Sequence, residues 1–154
     1  MARYSVSKTM QEIVKYSRCF VCGDQNVNGL KARFFYDGDQ AVASIVAESG
    51  FEGYRGILHG GIIYSMLDEV MIKALLADGI YAVTAEMTIR YHSPVSTGQE
   101  LRFVGSVVSR RRRMYQTKGK ASGPDGTIFA SATAKYIEAR PEFKSRLLES
   151  LDSD

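Results

Sequence analysis

The stretch GGIIYSMLDEVMIKALLA, residues 60–77, limits the fold more than any other part of the chain. Wound at helical period it is apolar almost all round, so it predicts a helix that neighbours must cover on most sides, closed by Asp78-Gly79 as a C-cap. The rest of the chain has to supply that cover.

Strand patterns supply it. Leu30 to Tyr36 and Ala41 to Ala47, joined by an Asp37-Gly38 turn, read as a hairpin. Ile80 to His92 is the cleanest strand: Tyr81, Val83, Ala85, Met87, Ile89 and Tyr91 alternate with Ala82, Thr84, Glu86, Thr88, Arg90 and His92. Glu100 to Ser109, Arg113 to Ala121 and Thr127 to Glu138 follow, and Ala130, Ala132 and Ala134 leave one face of the last strand open to something bulky. Thr9 to Tyr16 predicts a short helix with Thr9 and Glu12 at capping-box spacing, and Pro141 to Leu151 a terminal one. The economical packing is α+β, an antiparallel sheet curled around the long helix. With 154 residues and 45% apolar composition, one domain over residues 1–154 is expected. It has an N-terminal helix and CxxCG segment at 1–29 and a helix and tail at 141–154.

Composition excludes several classes. Asp68, Glu69 and Lys73 interrupt the best candidate for a membrane span, and the N-terminus lacks the apolar block of a secretory signal. A cytoplasmic protein without membrane attachment is expected. Cys19 and Cys22 form CFVCG, but zinc normally takes four protein ligands, and a second CxxC or a histidine pair is missing unless two subunits share the ion. A redox motif should follow a strand and open a helix, whereas CFVCGDQNVNGL runs into turn residues. Buried structural thiols are the leading expectation, with metal and redox use as alternatives, and no metal or cofactor is assigned. The net charge of +3 is mild, while Arg110, Arg111, Arg112 and Arg113 make a positive patch. That run lacks the interleaved aromatics of a single-strand nucleic-acid binder.

The carboxylates in the greasy helix need a reason. Glu69 has Lys73 four residues on, an ion pair of about 0.2 to 0.5 kcal/mol, and reads as helix stabilisation. Asp68 has Met71 and Ile72 at the equivalent positions and no local cation, so it either meets a distant partner such as Arg90 or is kept for chemistry. Gly60 and Gly61 leave backbone N–H groups open at the positive end of the helix, suited to the oxyanion of acyl transfer. Eight residues separate Gly60 from Asp68, about 12 Å of helix rise. One chain therefore cannot bring both to one carbonyl, and a twofold pair of antiparallel helices would. His92, before Ser93-Pro94, reads as structural, whereas His59 ahead of the glycine pair reads as functional.

The run HGGIIYSMLDE, with Asp68 nine positions after His59, resembles the hotdog-fold acyl-CoA thioesterases of the PaaI-like group. CFVCGDQNVNGL resembles their amino-terminal CxxCG segment, and VTAEMTIRYHSPVSTGQEL their T-A-x-x-x-I-x-Y/F-x-x-P strand. The resemblance implies a sheet wrapped around a helix, dimers and often tetramers, active sites at the dimer interface, and cleavage of an acyl-CoA thioester to acid and CoA. It implies Asp68 as base or nucleophile, Gly60 as the N–H on the thioester oxygen, His59 as its orienter, and Thr84 as a hydroxyl that positions water. Gly61, Tyr64 and Glu86 are expected near substrate, and the four arginines near the CoA phosphates. Some members carry an Asn where this chain has Gly53. The same fold also permits a non-catalytic acyl-CoA-binding module, a sensor or scaffold.

Overall fold

The structure is a computed structural model that describes residues 10–151. Its strands are β1 (Gln11–Glu12), β2 (Phe35–Tyr36), β3 (Ala41–Val46), β4 (Ala82–Tyr91), β5 (Glu100–Arg111), β6 (Met114–Ser122) and β7 (Ile128–Glu138). A short 3-10 turn at Ser49–Phe51 and two α-helices complete it, α1 (Gly60–Leu76) and α2 (Pro141–Glu149). The strands form one antiparallel sheet in the order β1-β2-β3-β5-β6-β7-β4, wrapped around α1. This is the hotdog fold.

The apolar wheel of α1 explains its place. Ile63, Met66, Leu67, Val70, Met71, Ala74 and Leu75 are all buried against β3 to β7, and each large one contributes about 1.5 to 3 kcal/mol. Small residues on the sheet let the helix approach. Gly105 and Gly119 are cross-strand partners. A Cβ on Gly105 would sit 2.6 Å from the Val70 carbonyl oxygen, and one on Gly119 would sit 3.1 Å from Met71 Cγ. Beside this furrow Ala121, Ala130, Ala132 and Ala134 are buried, so the alanine alternation in β7 is the floor for α1.

The N-terminal segment departs from expectation. Gln11–Glu12 pairs with β2 as a strand, not as a helix, and Thr9 lies outside the described residues. Ile13 is buried while Val14 is exposed, so consecutive apolar residues face opposite ways as extended chain requires. Glu12 is held across the sheet by Arg33, with Nε and Nη2 donating at 3.0 and 2.8 Å. The strand expected over 30–36 shrinks to Phe35–Tyr36. Lys31 has φ of +50°, which breaks the extended run, while Leu30 and Ala32 donate to Phe20 and Val21 carbonyls of the CFVCG turn.

In β4 the pairing with β7 shifts between Thr84 and Glu86, leaving Ala85 as an extra residue. Thr84 pairs with Tyr136 and Glu86 with Lys135, so the two fall on opposite faces of the sheet and not on the shared face that strict alternation predicts. No helix among the described residues is long and apolar enough to cross a membrane.

Candidate active site

The bulge aims Thr84 inward at the middle of α1. Its hydroxyl donates to Asp68 Oδ1 at 2.9 Å, and the Tyr136 hydroxyl reaches the same oxygen at 2.8 Å and the Asp68 carbonyl at 2.9 Å. Among the described residues nothing donates to Oδ2. Asp68 is half-buried, with one oxygen pinned and the other open. Arg90, weighed as a distant partner, is not its partner; two hydroxyls are.

Tyr136 was not anticipated. It is fully buried, and burial followed by the Asp68 charge pushes its phenol well above its ordinary value, so it remains a proton donor. Its signal was in the strand: alternation carries Ala130, Ala132 and Ala134 on to Tyr136, a polar-tipped residue on the face that touches α1.

At the start of α1, His59 is the N-cap, and its Nδ1 accepts from the Gly61 N–H at 2.8 Å. An accepting Nδ1 leaves the neutral ring's proton on Nε2. Gly61, expected to face substrate, therefore has its N–H taken by the histidine. The Gly60 N–H has no acceptor among the described residues, and the Gly60 carbonyl accepts from the Tyr91 hydroxyl at 2.7 Å. His59 and Gly61 are exposed and Gly60 is half-buried. His92 packs its Nε2 at 2.9 Å from Ser131 Oγ, away from Asp68's partners.

The other expected substrate contacts divide. Tyr64, one helical turn before Asp68, is 38% exposed, and on β4 Tyr91 is 48% and Val83 38% exposed. All three lie near β4, which has a hydrogen-bonded neighbour on one side only. Glu86 sits outside with Lys135 Nζ at 3.8 Å and is not brought to Asp68. The arginines occupy the β5–β6 hairpin, where Arg112 has φ of +56°. Arg113 donates from Nε and Nη2 to the Glu138 carbonyl at 3.1 and 2.9 Å. Arg110 donates to the Arg112 carbonyl at 2.9 Å and covers the Tyr115 ring at 5.2 Å. Arg110 thus braces the hairpin and Arg113 ties it to β7.

Glu69 is more than a surface helix partner. Its carboxylate lies 3.7 Å from Lys73 Nζ, as spacing predicts, but Lys73 is only 1% exposed. Burial, then the nearby Cys19, raise the Glu69 carboxyl to about 7. A cavity of about 590 Å³ opens on this side, lined by Glu69, Cys19, Tyr16, Ile72 and Leu76. Asp68 lies outside it, on an open face.

The thioesterase superfamily model matches residues 55–130, which hold α1, β4, β5, β6 and the start of β7. No curated protein matches the chain. A solved thioesterase superfamily protein superposes with a TM-score of 0.75 at 20% identity, covering 86% of this chain and 69% of its own. The PaaI protein from the phenylacetic acid degradation operon of E. coli gives 0.63 at 19% identity over 66% of this chain and 73% of its own. A hypothetical thioesterase protein from Streptococcus pneumoniae TIGR4, solved with coenzyme A, gives 0.60 at 20% identity over 66% and 82%. Through residues 55–130 the chain belongs to the thioesterase superfamily, and its hotdog fold is the one the PaaI protein has.

Proposed function

We propose that the protein is an acyl-CoA thioesterase whose active site is completed by a second copy of the chain. The observation that carries this reading is Asp68: one carboxylate oxygen is fixed by two hydroxyls and the other is free at an open face. A carboxylate held this way is oriented for work on a water or a carbonyl carbon, and a pure binding module has no use for it. Family membership and the neighbour solved with coenzyme A support a thioester of CoA as substrate.

In this reading the thioester oxygen accepts from the Gly60 N–H of one chain while Asp68 of the other acts on the carbonyl carbon. Asp68 either deprotonates the attacking water or attacks first and is released by water; the thiol of CoA leaves and the free acid forms. Thr84 and Tyr136 keep Oδ1 occupied, so Oδ2 does the chemistry. The helix rise of about 12 Å between Gly60 and Asp68 and the one-sided β4, with Tyr64, Val83 and Tyr91 exposed around it, support pairing of two chains along this edge.

The test is thiol release from a panel of short, medium, long and aromatic acyl-CoAs by wild type and Asp68→Asn, with molar mass measured by light scattering. Turnover by wild type and a loss of at least about a hundredfold in the variant are expected. Binding of CoA esters by both without hydrolysis by either makes the chain a sensor or scaffold instead. Single turnover in ¹⁸O-water reads the route: an unlabelled first acid, with the label in Asp68, means nucleophilic attack followed by water at the Asp68 carbonyl, whereas a labelled first acid with Asp68 unlabelled means that water attacks the acyl carbon.

A further inference from the structure

We propose that Cys19, Cys22 and Glu69 bind a divalent, thiophilic metal ion of the zinc class, with a fourth coordination position open to the cavity beside α1. The CFVCG segment by itself brings only two metal ligands. The fold supplies the third from fifty residues away.

Geometry carries the inference. The two thiol sulfurs and a Glu69 oxygen lie within 4.8 Å of one another. Metal distances of about 2.3 Å to sulfur and 2.0 Å to oxygen give a tetrahedral S···O edge of about 3.5 Å. Cys19 Sγ and Glu69 Oε1 are 3.8 Å apart, long for a thiol–carboxylate hydrogen bond and near that edge.

The turn is built to present Cys19 as a thiolate. Val21 and Cys22 N–H groups donate to Cys19 Sγ at 3.3 and 3.4 Å, and Gly23 N–H closes the turn on the Cys19 carbonyl at 2.9 Å. A Cβ on Gly23 would sit 2.5 to 2.6 Å from Ser17 and Cys19 backbone atoms, so only glycine can follow Cys22 here. Amide donors to sulfur favour the thiolate, the form that binds metal.

Charge closes the account. Two thiolates and a carboxylate carry three negative charges, and Lys73 supplies one positive charge from within the protein. Lys73 is held there by the Val14 carbonyl, to which its Nζ donates, and by the Tyr16 ring at 5.2 Å. A dication supplies the other two. Three protein ligands and one open position is the pattern of a site that takes water or an exogenous donor, and the neighbouring cavity of about 590 Å³ gives such a donor room.

The test loads the reduced full chain with Co(II) as a zinc surrogate in a non-thiol reductant, with metal counted by elemental mass spectrometry. One ion per chain, a near-ultraviolet thiolate-to-cobalt band and its loss on adding Zn(II) are expected. Cys19→Ser and Cys22→Ser should lose the band, and Glu69→Gln should weaken binding at least about tenfold while circular dichroism stays native. No stoichiometric ion in wild type overturns the site. Unchanged affinity and spectrum in Glu69→Gln overturn the three-ligand set. Because the readout is metal content and absorption, it stands or falls apart from thioesterase activity.

Discussion

Asp68 and Glu69 are neighbours in the chain with the same functional group, and they live in different chemical worlds. A residue step on a helix turns about 100°. That turn sends Asp68 toward the bulge of β4 and the hydroxyls of Thr84 and Tyr136, and Glu69 toward Cys19 and the buried Lys73. Asp68 faces neutral donors, which orient a carboxylate without cancelling its charge. Glu69 faces a cation and two thiols, which hold it as part of a charge cluster. The contrast teaches that a buried acid is read by what its face of the helix meets, and not by its own local spacing.

Asp68→Asn should break the comparison most. A fall of at least about a hundredfold in kcat is expected, with cobalt binding at the Glu69 side as in wild type. Loss of both together would mean that the two faces are not independent.

Next in size is metal linkage. At zinc a hundredfold above its dissociation constant, the wild type should gain about 2.7 kcal/mol of stability, read as a rise in Tm that a chelator reverses. Glu69→Gln should show a smaller rise, and Asp68→Asn the full one.

Tyr136→Phe sharpens the Asp68 side. It removes a hydrogen bond to a charged acceptor, worth about 1.5 kcal/mol at the low end, so kcat should fall about tenfold. The binding of a non-hydrolysable CoA thioether should hold. Equal losses in both would make the tyrosine a packing residue only.

Glu86→Gln marks the floor. Its exposed pair with Lys135 is worth little, and activity and Tm should stay within about twofold and a degree or so of wild type. A large loss of activity would bring Glu86 back to the substrate, against the bulge that turns it outward.

Much of the fold was legible. The apolar wheel at 60–77 foretold a covered helix, and the alanine alternation foretold the face that covers it. Both are read from spacing because period and burial are tied by geometry. The failures share a cause. Residues 9–16 set Ile13 and Val14 among polar neighbours with Thr9 and Glu12 at capping-box spacing, yet hydrogen bonds from Ile13 to Phe34 and across β1 to β2 draw Gln11 to Ile13 out as extended chain. Tertiary pairing outweighs so short a local preference. The bulge at Ala85 leaves no sequence mark, and one extra residue was enough to separate Thr84 from Glu86.

By itself the sequence determined which residues lie along α1, that a strand layer must wrap it, and that Gly60 and Asp68 stand too far apart to serve one carbonyl in one chain. Those follow from rise, period and apolarity, all local quantities. Only the tertiary structure decided what each acid meets: Tyr136, sixty-eight residues beyond Asp68, and Cys19, fifty before Glu69. Register and chain crossing make those meetings, and no spacing along the chain encodes a distance of 2.8 Å between residues so far apart.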